Sequence, residues 1–305
     1  MPNDTRSSRP RQPTTPPVSC HELGLTTRRM SLPAGEVRFV DEGQGQPVVL
    51  LHGAPVTSLG FLRVIRELRK HHRVIAPDLP GFGASTAAPS FTGDLTSYAE
   101  FVVMFCQQLD LRNLVLYVND ASGCFGLHAA GNMRDRVAGV VVADTVPVPL
   151  TGRAWPVRLV LRYLVCSGFV RALNRRFNAL PWLVATVAPF LQPFSARERR
   201  VLLEQFDTHE KRDRVLDLFA HMAQDVSFMQ ATAALVRDAL RLTPALLLYG
   251  QLDPMRFVGS VGRFRDLLPC SQTEIIPFEE HFPILASGER VGRAVATWIA
   301  QRAAA

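Results

Sequence analysis

Three ionisable residues of this sequence each follow an apolar run and could act together. Asp120 comes after the run LVLYVN, Asp253 after LLLYGQL and His281 after EIIPFEE. Reactive groups of open α/β sheets lie at the carboxyl ends of the strands, so three such strands would bring these side chains to one edge. Each residue alone could equally be a helix cap, a turn residue or a loop histidine. Their joint order of nucleophile, acid and histidine favours a hydrolytic triad, in which the acid orients the histidine and the histidine is the base.

The nucleophile of that triad is either Asp120 or Ser122, because both lie in the turn NDASG. A turn that carries a nucleophile brings strand and helix close together and needs small residues two positions before and after it. Around Asp120 these positions hold Val118 and Ser122. Around Ser122 they hold Cys124 and an ionisable aspartate, which fits a tight position poorly. The apolar run ends at Val118, near Asp120, so we predict Asp120 as the nucleophile and keep Ser122 as the alternative.

The elements that must position these residues alternate between short apolar runs and helical patterns. Unbroken apolar strands separated by helices are typical of a parallel sheet that is covered on both faces. Helices are expected at Leu62–Leu68, from the cap Asp94 to about Leu109, at Ala121–Gly131, at Val258–Leu268 and from about Gly288. Strands are expected at Val37–Val40, Val48–Leu51, Val74–Ala76, Leu114–Val118, Val137–Ala143, Ala245–Tyr249 and Thr273–Ile276.

The alternation stops after residue 145 and returns near residue 244, with only helical periodicity in between. We therefore predict a core domain made of residues 23–145 and 244–305, and an inserted helical cap at residues 146–243. An insertion at the carboxyl edge of a sheet lies over the crevice in which ligands bind, so the cap is a candidate lid. Residues 1–22 are rich in Pro, Arg, Ser and Thr and are expected to form a disordered tail.

Several motifs together resemble the α/β-hydrolase superfamily, specifically its haloalkane dehalogenase and epoxide hydrolase branch. LHGAP at residues 51–55 resembles the family's His-Gly loop, and PDLPGFGAS at 77–85 is similar to a family signature. NDASG resembles the family's nucleophile elbow, and YGQLD and HFP are similar to its acid and histidine regions. The resemblance covers about residues 36–302. It implies the α/β-hydrolase fold, with a mostly parallel central sheet flanked by helices and an inserted helical cap.

The resemblance also implies a reaction and a role for each residue. Asp120 would attack carbon and form an alkyl ester, and His281, oriented by Asp253, would activate the water that cleaves it. Backbone N–H groups at Ala54 and Ala121 would form the oxyanion hole. Some family members carry the acid one strand earlier, which makes Asp144 the alternative acid. A carboxylate nucleophile favours a small apolar haloalkane or epoxide as substrate, because its attack on an ester would produce a high-energy anhydride.

The sequence departs from the family where the leaving group would be held. Dehalogenases usually carry a tryptophan directly after the nucleophile and often an asparagine after His-Gly, but this chain has Ala121 and Ala54 there, and neither side chain donates a hydrogen bond. Epoxide hydrolases usually protonate the ring from two lid tyrosines, whereas the predicted cap has one. The remaining candidates for binding the substrate or the leaving group are Trp155, Tyr163 and Trp182, which could equally be packing residues.

Composition restricts the other partners and the compartment. The formal charge is +7, almost all of the excess is arginine, and no interleaving of aromatic and basic residues suggests nucleic-acid binding. Five scattered cysteines indicate neither a metal site nor a disulfide framework, and a reducing cytoplasm fits best. No cofactor is implied, and no apolar run predicts a signal peptide or a transmembrane segment. For residues 155–190 we favour a lid over an apolar pocket rather than a membrane-surface segment.

Two other functions remain open from the sequence. The same fold could carry a serine-dependent or nucleophile-free esterase, lactonase or carbon–carbon hydrolase, with Ser122 as the residue to test. It could also be a binding protein with a degenerate site, since the expected donors are missing at positions 54 and 121. The presence of all three triad residues favours the enzyme.

Overall fold

The architecture is an eight-stranded sheet with helices on both faces, seen in a computed structural model that describes residues 23–187 and 195–303. The strand order is β1-β2-β4-β3-β5-β6-β7-β8. The pairs β1–β2 and β2–β4 are antiparallel, and all other neighbouring strands run parallel. The strands are β1 (Thr27–Leu32), β2 (Gly35–Glu42), β3 (Pro47–Leu51), β4 (Arg73–Pro77), β5 (Leu114–Asn119), β6 (Val137–Ala143), β7 (Ala245–Gly250) and β8 (Ser271–Ile276).

Thirteen α-helices lie within the described residues, and the short ones are single turns. In the first half of the chain they are α1 (Leu62–Leu68), α2 (Leu95–Gln108) and α3 (Ser122–Asn132). Between β6 and β7 they are α4 (Trp155–Leu159), continued by a π-helix at Val160–Val165, then α5 (Gly168–Phe177), α6 (Ala179–Val187), α7 (Ala196–Glu204), α8 (His209–Gln224) and α9 (Val226–Ala239). The last four are α10 (Pro254–Phe257), α11 (Ser260–Leu267), α12 (Pro283–Ala286) and α13 (Gly288–Ala303).

The central strands are mostly apolar because both of their faces are buried. In β3, Val49 and Leu51 pack in one hydrophobic core with α2 and α3, while Val48 and Leu50 pack in a second core with α1 and α13. Successive side chains of a strand point to opposite faces, so a strand between two helical layers has no polar position. This confirms the predicted α/β-hydrolase fold with its mostly parallel sheet.

The predicted strands and helices of the core are present, with ends that differ by one to a few residues. Asp94 caps α2 as predicted, with its carboxylate accepting the Ser97 N–H at 2.7 Å. The analysis of the sequence missed β1, because this edge strand exposes most of its side chains, including Arg28 and Arg29, and has no apolar run to mark it. It pairs with β2 through a tight turn, in which Leu32 lies opposite Gly35.

The described part of the segment between β6 and β7 contains helices and connecting turns but no strand, and we refer to α4–α9 with the π-helix as the inserted helices. Their sequence leaves the sheet at the carboxyl end of β6, on the edge where the predicted triad residues lie. Across residues 23–187 and 195–303, no helix combines the length and apolar character needed to cross a bilayer. The predicted tail at residues 1–22 lies outside the described residues.

Candidate active site

Asp120 lies at the apex of a sharp turn between β5 and α3. Its φ of 50° falls in the left-handed region, which is strained for a residue with a side chain. The turn is held from behind by Thr145, whose hydroxyl donates to the Asp120 carbonyl at 2.6 Å. Gly123 gives Thr145 its room, since a Cβ there would overlap the threonine side chain. The geometry presents the Asp120 carboxylate at the carboxyl end of the sheet.

The structure shows how the turn accommodates the residues two positions before and after Asp120. Val118 occupies a position where a small residue was expected, and Gly126 accommodates it, because a Cβ at Gly126 would lie 2.6 Å from a Val118 methyl group. Ser122 is fully buried and accepts the Asn119 N–H at 2.8 Å, while its hydroxyl lies 2.8 Å from the Leu51 carbonyl. Its hydroxyl is therefore hydrogen-bonded to the backbone of β5 and β3, and Ser122 does not line the cavity described below.

The loop after β3 supplies a backbone donor to the Asp120 carboxylate. The Ala54 N–H donates to Asp120 Oδ2 at 2.9 Å, as an oxyanion-hole donor would. His52 holds this loop: its Nε2 accepts the Leu79 N–H at 3.0 Å, so its Nδ1–H donates to the Gly53 carbonyl at 2.7 Å. Burial lowers the pKa of His52, which keeps it neutral in this tautomer. Ala121, the other predicted donor, directly follows Asp120 at the start of α3.

Gly53 is required by the close approach of this loop to Asp120, which gives a first testable prediction. A Cβ on Gly53 would lie 2.6 Å from the Asp120 Cβ and 2.8 Å from the Asn119 carbonyl. We expect Gly53→Ala to displace the carboxylate from the Ala54 N–H and to lower turnover by about 10²-fold, because misplacement by about 1 Å has that effect. Steady-state kinetics check this, with Gly262→Ala as the control, since a Cβ there meets nothing within 4 Å.

His281 joins the two acidic residues that the sequence singled out. Its Nδ1 lies 2.8 Å from Asp253 Oδ1 and its Nε2 lies 3.3 Å from Asp120 Oδ1. Asp253 is fully buried and also accepts the Met255 N–H at 2.9 Å, which fixes its carboxylate. Burial lowers the pKa of His281, but the carboxylates of Asp253 and Asp120 outweigh burial and raise it well above its usual value. The structure thus brings Asp120, His281 and Asp253 into one line.

Asp144, the alternative acid, lies behind Asp253 rather than against His281. It is fully buried with a φ of 45°, and its Oδ1 accepts the Gly250 N–H at 2.9 Å. Burial and the neighbouring Asp253 raise the pKa of Asp144 well above its usual value. The two carboxyl groups interact with each other, and no other described residue forms a hydrogen bond with the Oδ2 atom of Asp144 or of Asp253. Burial and the adjacent Asp253 thus favour the protonated form of Asp144.

The inserted helices cover the Asp120 carboxylate and enclose an apolar cavity of about 220 Å³. Val157 on α4, Leu161 on the π-helix and Leu180 on α6 line it from one side, and Phe219 and Met222 on α8 line it from another. Among the described lining residues, the only polar side chains are those of Asp120 and His281. This cavity fits a small apolar molecule placed against the carboxylate.

The aromatic residues considered as leaving-group donors lie elsewhere. Trp155, Tyr163 and Trp182 are 58%, 67% and 52% exposed, and none of them lines the cavity. Sequence periodicity could not decide this, because α4 and the π-helix carry apolar residues on both sides. Conversely, the sequence analysis missed Thr145 and Gly126, which shape the turn; their spacing from Asp120 carried no signal. Within the described residues, no group of three or more His, Cys, Asp or Glu side chains is arranged to hold a metal.

The fold and the line of three residues define the class, and comparison with known proteins shows the family. The profile of the family described as alpha/beta hydrolase fold matches residues 46–286, so this chain belongs to the α/β-hydrolase family. Its resemblance to the branch of haloalkane dehalogenases and epoxide hydrolases is confirmed by relatives at the levels of sequence and fold.

Among curated proteins, a haloalkane dehalogenase of Agrobacterium fabrum is 31% identical over 188 residues, which are 59% of this chain and 60% of that protein. Haloalkane dehalogenase 2 of Mycobacterium tuberculosis is 34% identical over 111 residues, covering 36% of this chain and 39% of that protein. The chain thus matches at most 60% of the length of these relatives.

Solved structures share the fold at lower identity. A haloalkane dehalogenase from Bradyrhizobium elkani superposes with a TM-score of 0.78 at 21% identity, covering 92% of this chain and 100% of that one. An epoxide hydrolase superposes with a TM-score of 0.77 at 18% identity, covering 91% and 99%. Both similarities concern the fold.

Proposed function

We propose that this protein is a cofactor-independent hydrolase that cleaves small haloalkanes through an alkyl ester on Asp120. The observation that carries the proposal is the His281 imidazole between Asp120 and Asp253, at the base of an apolar cavity. The inserted helices, within residues 146–243, act as the lid of this cavity. Ser122 is buried and its hydroxyl is hydrogen-bonded to the backbone of Asn119 and Leu51, so the structure gives no support to a serine nucleophile.

In the first step, Asp120 Oδ1 attacks the carbon that bears the halogen. Oδ2 is held by the Ala54 N–H, so Oδ1, which lies 3.3 Å from His281 Nε2, is the oxygen that forms the new bond. The C–O bond forms as the carbon–halogen bond breaks, and the halide leaves with the electron pair. Asp120 is 5% exposed and lines an apolar cavity, so its carboxylate is less hydrated, and a stronger nucleophile, than it would be in solution.

In the second step, His281 takes a proton from water, and the resulting hydroxide attacks the carbonyl carbon of the ester. The Ala54 N–H stabilises the negative charge that develops on Oδ2. The bond from the carbonyl carbon to the alkoxy oxygen then breaks, and the proton held by His281 goes to the departing alcohol. Asp120 releases the proton of the added hydroxyl to solvent and becomes a carboxylate again, so the net products are the alcohol, the halide and one proton. Asp253 keeps Nδ1 protonated, so that Nε2 faces the water.

The lining of the cavity favours a halide over an epoxide oxygen as the leaving group. An opening epoxide develops an alkoxide, a strong base that needs a proton donor in the transition state. A departing bromide or iodide is a weak base and needs only polarisation. Among the described lining residues, none except His281 carries a side-chain donor, so epoxides have less support than bromo- and iodoalkanes.

The test is a panel of chloro-, bromo- and iodoalkanes of equal chain length together with the matching epoxides. Halide release and diol formation are measured in parallel. We expect halide release to fall steeply from iodide through bromide to chloride, because little in the cavity compensates for a poorer leaving group. Diol formation without halide release would overturn the haloalkane assignment in favour of the epoxide. Activity only on p-nitrophenyl esters, lost in Ser122→Ala, would overturn both.

The pH dependence of the two steps is expected to differ, because only the second needs a neutral His281. The carboxylates of Asp253 and Asp120 raise the pKa of His281, which favours the protonated imidazole in the free protein. Forming the ester removes the charge of Asp120, which lowers the pKa of His281 and lets its proton leave. We expect the lifetime of the ester to increase about tenfold for each pH unit below that lowered pKa. Rapid quenching followed by mass spectrometry of the Asp120 peptide measures this, and an ester lifetime independent of pH would contradict it.

A further inference from the structure

The inserted helices carry apolar side chains on the side that faces away from the protein. Trp155, Leu159 and Tyr163 follow one another at four-residue spacing along α4 and the π-helix, and all three are exposed. Residues four apart lie on the same side of a helix, so these side chains form a continuous stripe. Val157, Leu161 and Val165 of the same segment line the cavity instead. The segment is therefore apolar on two opposite sides, and its outward side is not needed for the core.

A second stripe of the same kind runs along α5. Phe169, Leu173 and Phe177 repeat at four-residue spacing and are 77%, 39% and 63% exposed. The opposite sides of both helical segments pack on α8, so the two stripes face away from it. Trp182 and Leu183 on α6 are exposed as well. We call this surface, from Trp155 to Leu183, the outer face.

The outer face holds most of the exposed large apolar side chains of the described protein, ten of fourteen. Contiguous exposed apolar surface of this kind marks an interaction site in a soluble fold. The remaining four are Leu242, Leu252, Phe257 and Phe278, which lie outside this surface. Leu183 is half exposed and also lines the cavity, so the outer face reaches the cavity's edge.

The charge of the outer face has one sign. Residues 151–187 contain six arginines and no aspartate or glutamate. Arg153, Arg162 and Arg176 are exposed, and within the described part of the chain no carboxylate pairs with them. Arg162 and Arg176 lie over the rings of the neighbouring Tyr163 and Phe177. Arginines therefore surround the apolar stripes and leave their positive charge to an external partner.

We propose that the outer face binds the surface of an anionic lipid bilayer. Tryptophan, tyrosine and phenylalanine beside arginine form the side-chain set of helices that lie in the plane of a membrane interface. A second copy of this chain fits poorly, because a symmetric contact would place Arg153, Arg162 and Arg176 against the same three arginines, with no carboxylate partner for them among the described residues. The helical segments of the outer face are too short to span a bilayer, so binding is to the surface.

This inference reverses the expectation drawn from the sequence, which favoured a lid that merely packs over a pocket. The lid does pack over a cavity, but α4 and the π-helix use only one of their two apolar sides for that purpose. The proposal is independent of the chemistry at Asp120, since it concerns only the opposite side of these helices.

The experiment uses the whole protein and vesicles of two compositions. One is phosphatidylcholine alone, and the other is phosphatidylcholine and phosphatidylglycerol in equal parts, both at low salt. Two of the three tryptophans, Trp155 and Trp182, lie on the outer face, and the third, Trp298, is buried. We expect co-sedimentation with the anionic vesicles only, and quenching of part of the tryptophan emission by brominated acyl chains. Salt should reverse the binding.

Two variants and two matched controls locate the contact. The triple change of Arg153, Arg162 and Arg176 to Gln should weaken partitioning by more than about tenfold, since each arginine contributes about 1 kcal/mol near an anionic surface. The control changes the exposed Arg237, Arg241 and Arg265 to Gln and should leave partitioning unchanged within about twofold. In the same way Phe169→Ser should weaken binding, whereas Leu242→Ser, an equally exposed apolar residue, should not.

Three results would overturn the proposal. The first is wild-type protein that remains in the supernatant with the anionic vesicles. The second is an equal loss of binding in both arginine triples, which would indicate attraction by net charge alone. The third is a dimer by analytical ultracentrifugation that Phe169→Ser converts to a monomer, with no vesicle binding, which would assign the outer face to a second copy. Circular dichroism of each variant checks that it is folded.

Discussion

The variant His281→Ala is expected to accumulate an alkyl ester on Asp120 when it is mixed with a bromo- or iodoalkane. The nucleophile and its Ala54 donor remain in place, so the first step continues, whereas the described residues that line the cavity offer no other base to the ester. Steady-state turnover should fall by about 10³-fold or more, and one equivalent of halide should be released in a single burst. Intact mass and the mass of the peptide that contains Asp120 measure the adduct directly.

The controls for this experiment distinguish a blocked second step from a damaged protein. Asp120→Ala should give neither an adduct nor a halide burst, because it removes the nucleophile. His128→Ala changes another partly buried histidine, which stacks on Phe228 outside the cavity, and should turn over normally. A His281→Ala protein that is folded but forms no adduct with any member of the haloalkane and epoxide panel would contradict the covalent mechanism.

The two buried carboxyl groups next to His281 are expected to respond very differently to the same substitution. Asp253→Asn removes the carboxylate that accepts the Nδ1–H of His281, and the corresponding change in a hydrolytic triad lowers turnover by about 10⁴-fold. Asp144→Asn keeps a donor facing Asp253 and should retain turnover within about tenfold. Steady-state kinetics of the two variants compare the roles, and an equal loss in both would make Asp144 part of the catalytic acid rather than its neutral neighbour.

The substitution Asp144→Asn, which should change turnover little, should change the free energy of unfolding at neutral pH. The pKa of Asp144 is raised in the folded protein, so between its ordinary pKa and this raised value the folded state holds a proton that the unfolded state has lost. The free energy of unfolding therefore falls as pH rises through that range. Asparagine mimics the neutral acid without titrating, so Asp144→Asn should remove this slope and stabilise the protein by about 1 kcal/mol for each unit of raised pKa. Denaturant unfolding at pH 4 and pH 8 measures the difference.

Much of the core could be predicted from the sequence because its strands are buried on both faces. An unbroken run such as VAGVVVA at Val137–Ala143 has no polar position to confuse it with a surface helix, and the strand has those bounds. The edge strand β1 could not be predicted in this way, since its mostly exposed side chains leave no hydrophobic pattern. Its place in the sheet depends on its antiparallel pairing with β2. The local hydrophobic pattern of β1 does not show this pairing.

The candidate site was predictable to the extent that strand ends are predictable. Asp120, Asp253 and His281 each follow a strand, and parallel strands place their carboxyl ends along one edge of the sheet. The sequence offered Asp253 and Asp144 as the acid that orients His281, and only their positions after different strands distinguished them. The structure separates them by orientation, because Asp253 contacts Nδ1 of His281 while Asp144 binds the Gly250 N–H behind it.

The sequence by itself determined the class of the fold, the order of the triad residues and the aspartate at the turn, because these depend on local patterns and chain order. Only the tertiary structure decided where the inserted helices direct their side chains. Trp155 and Tyr163 point outward and Leu161 points into the cavity, although all three belong to one apolar segment. A helix that is apolar on two sides has no preferred inward side of its own, so its packing on α8 and over Asp120 makes the choice.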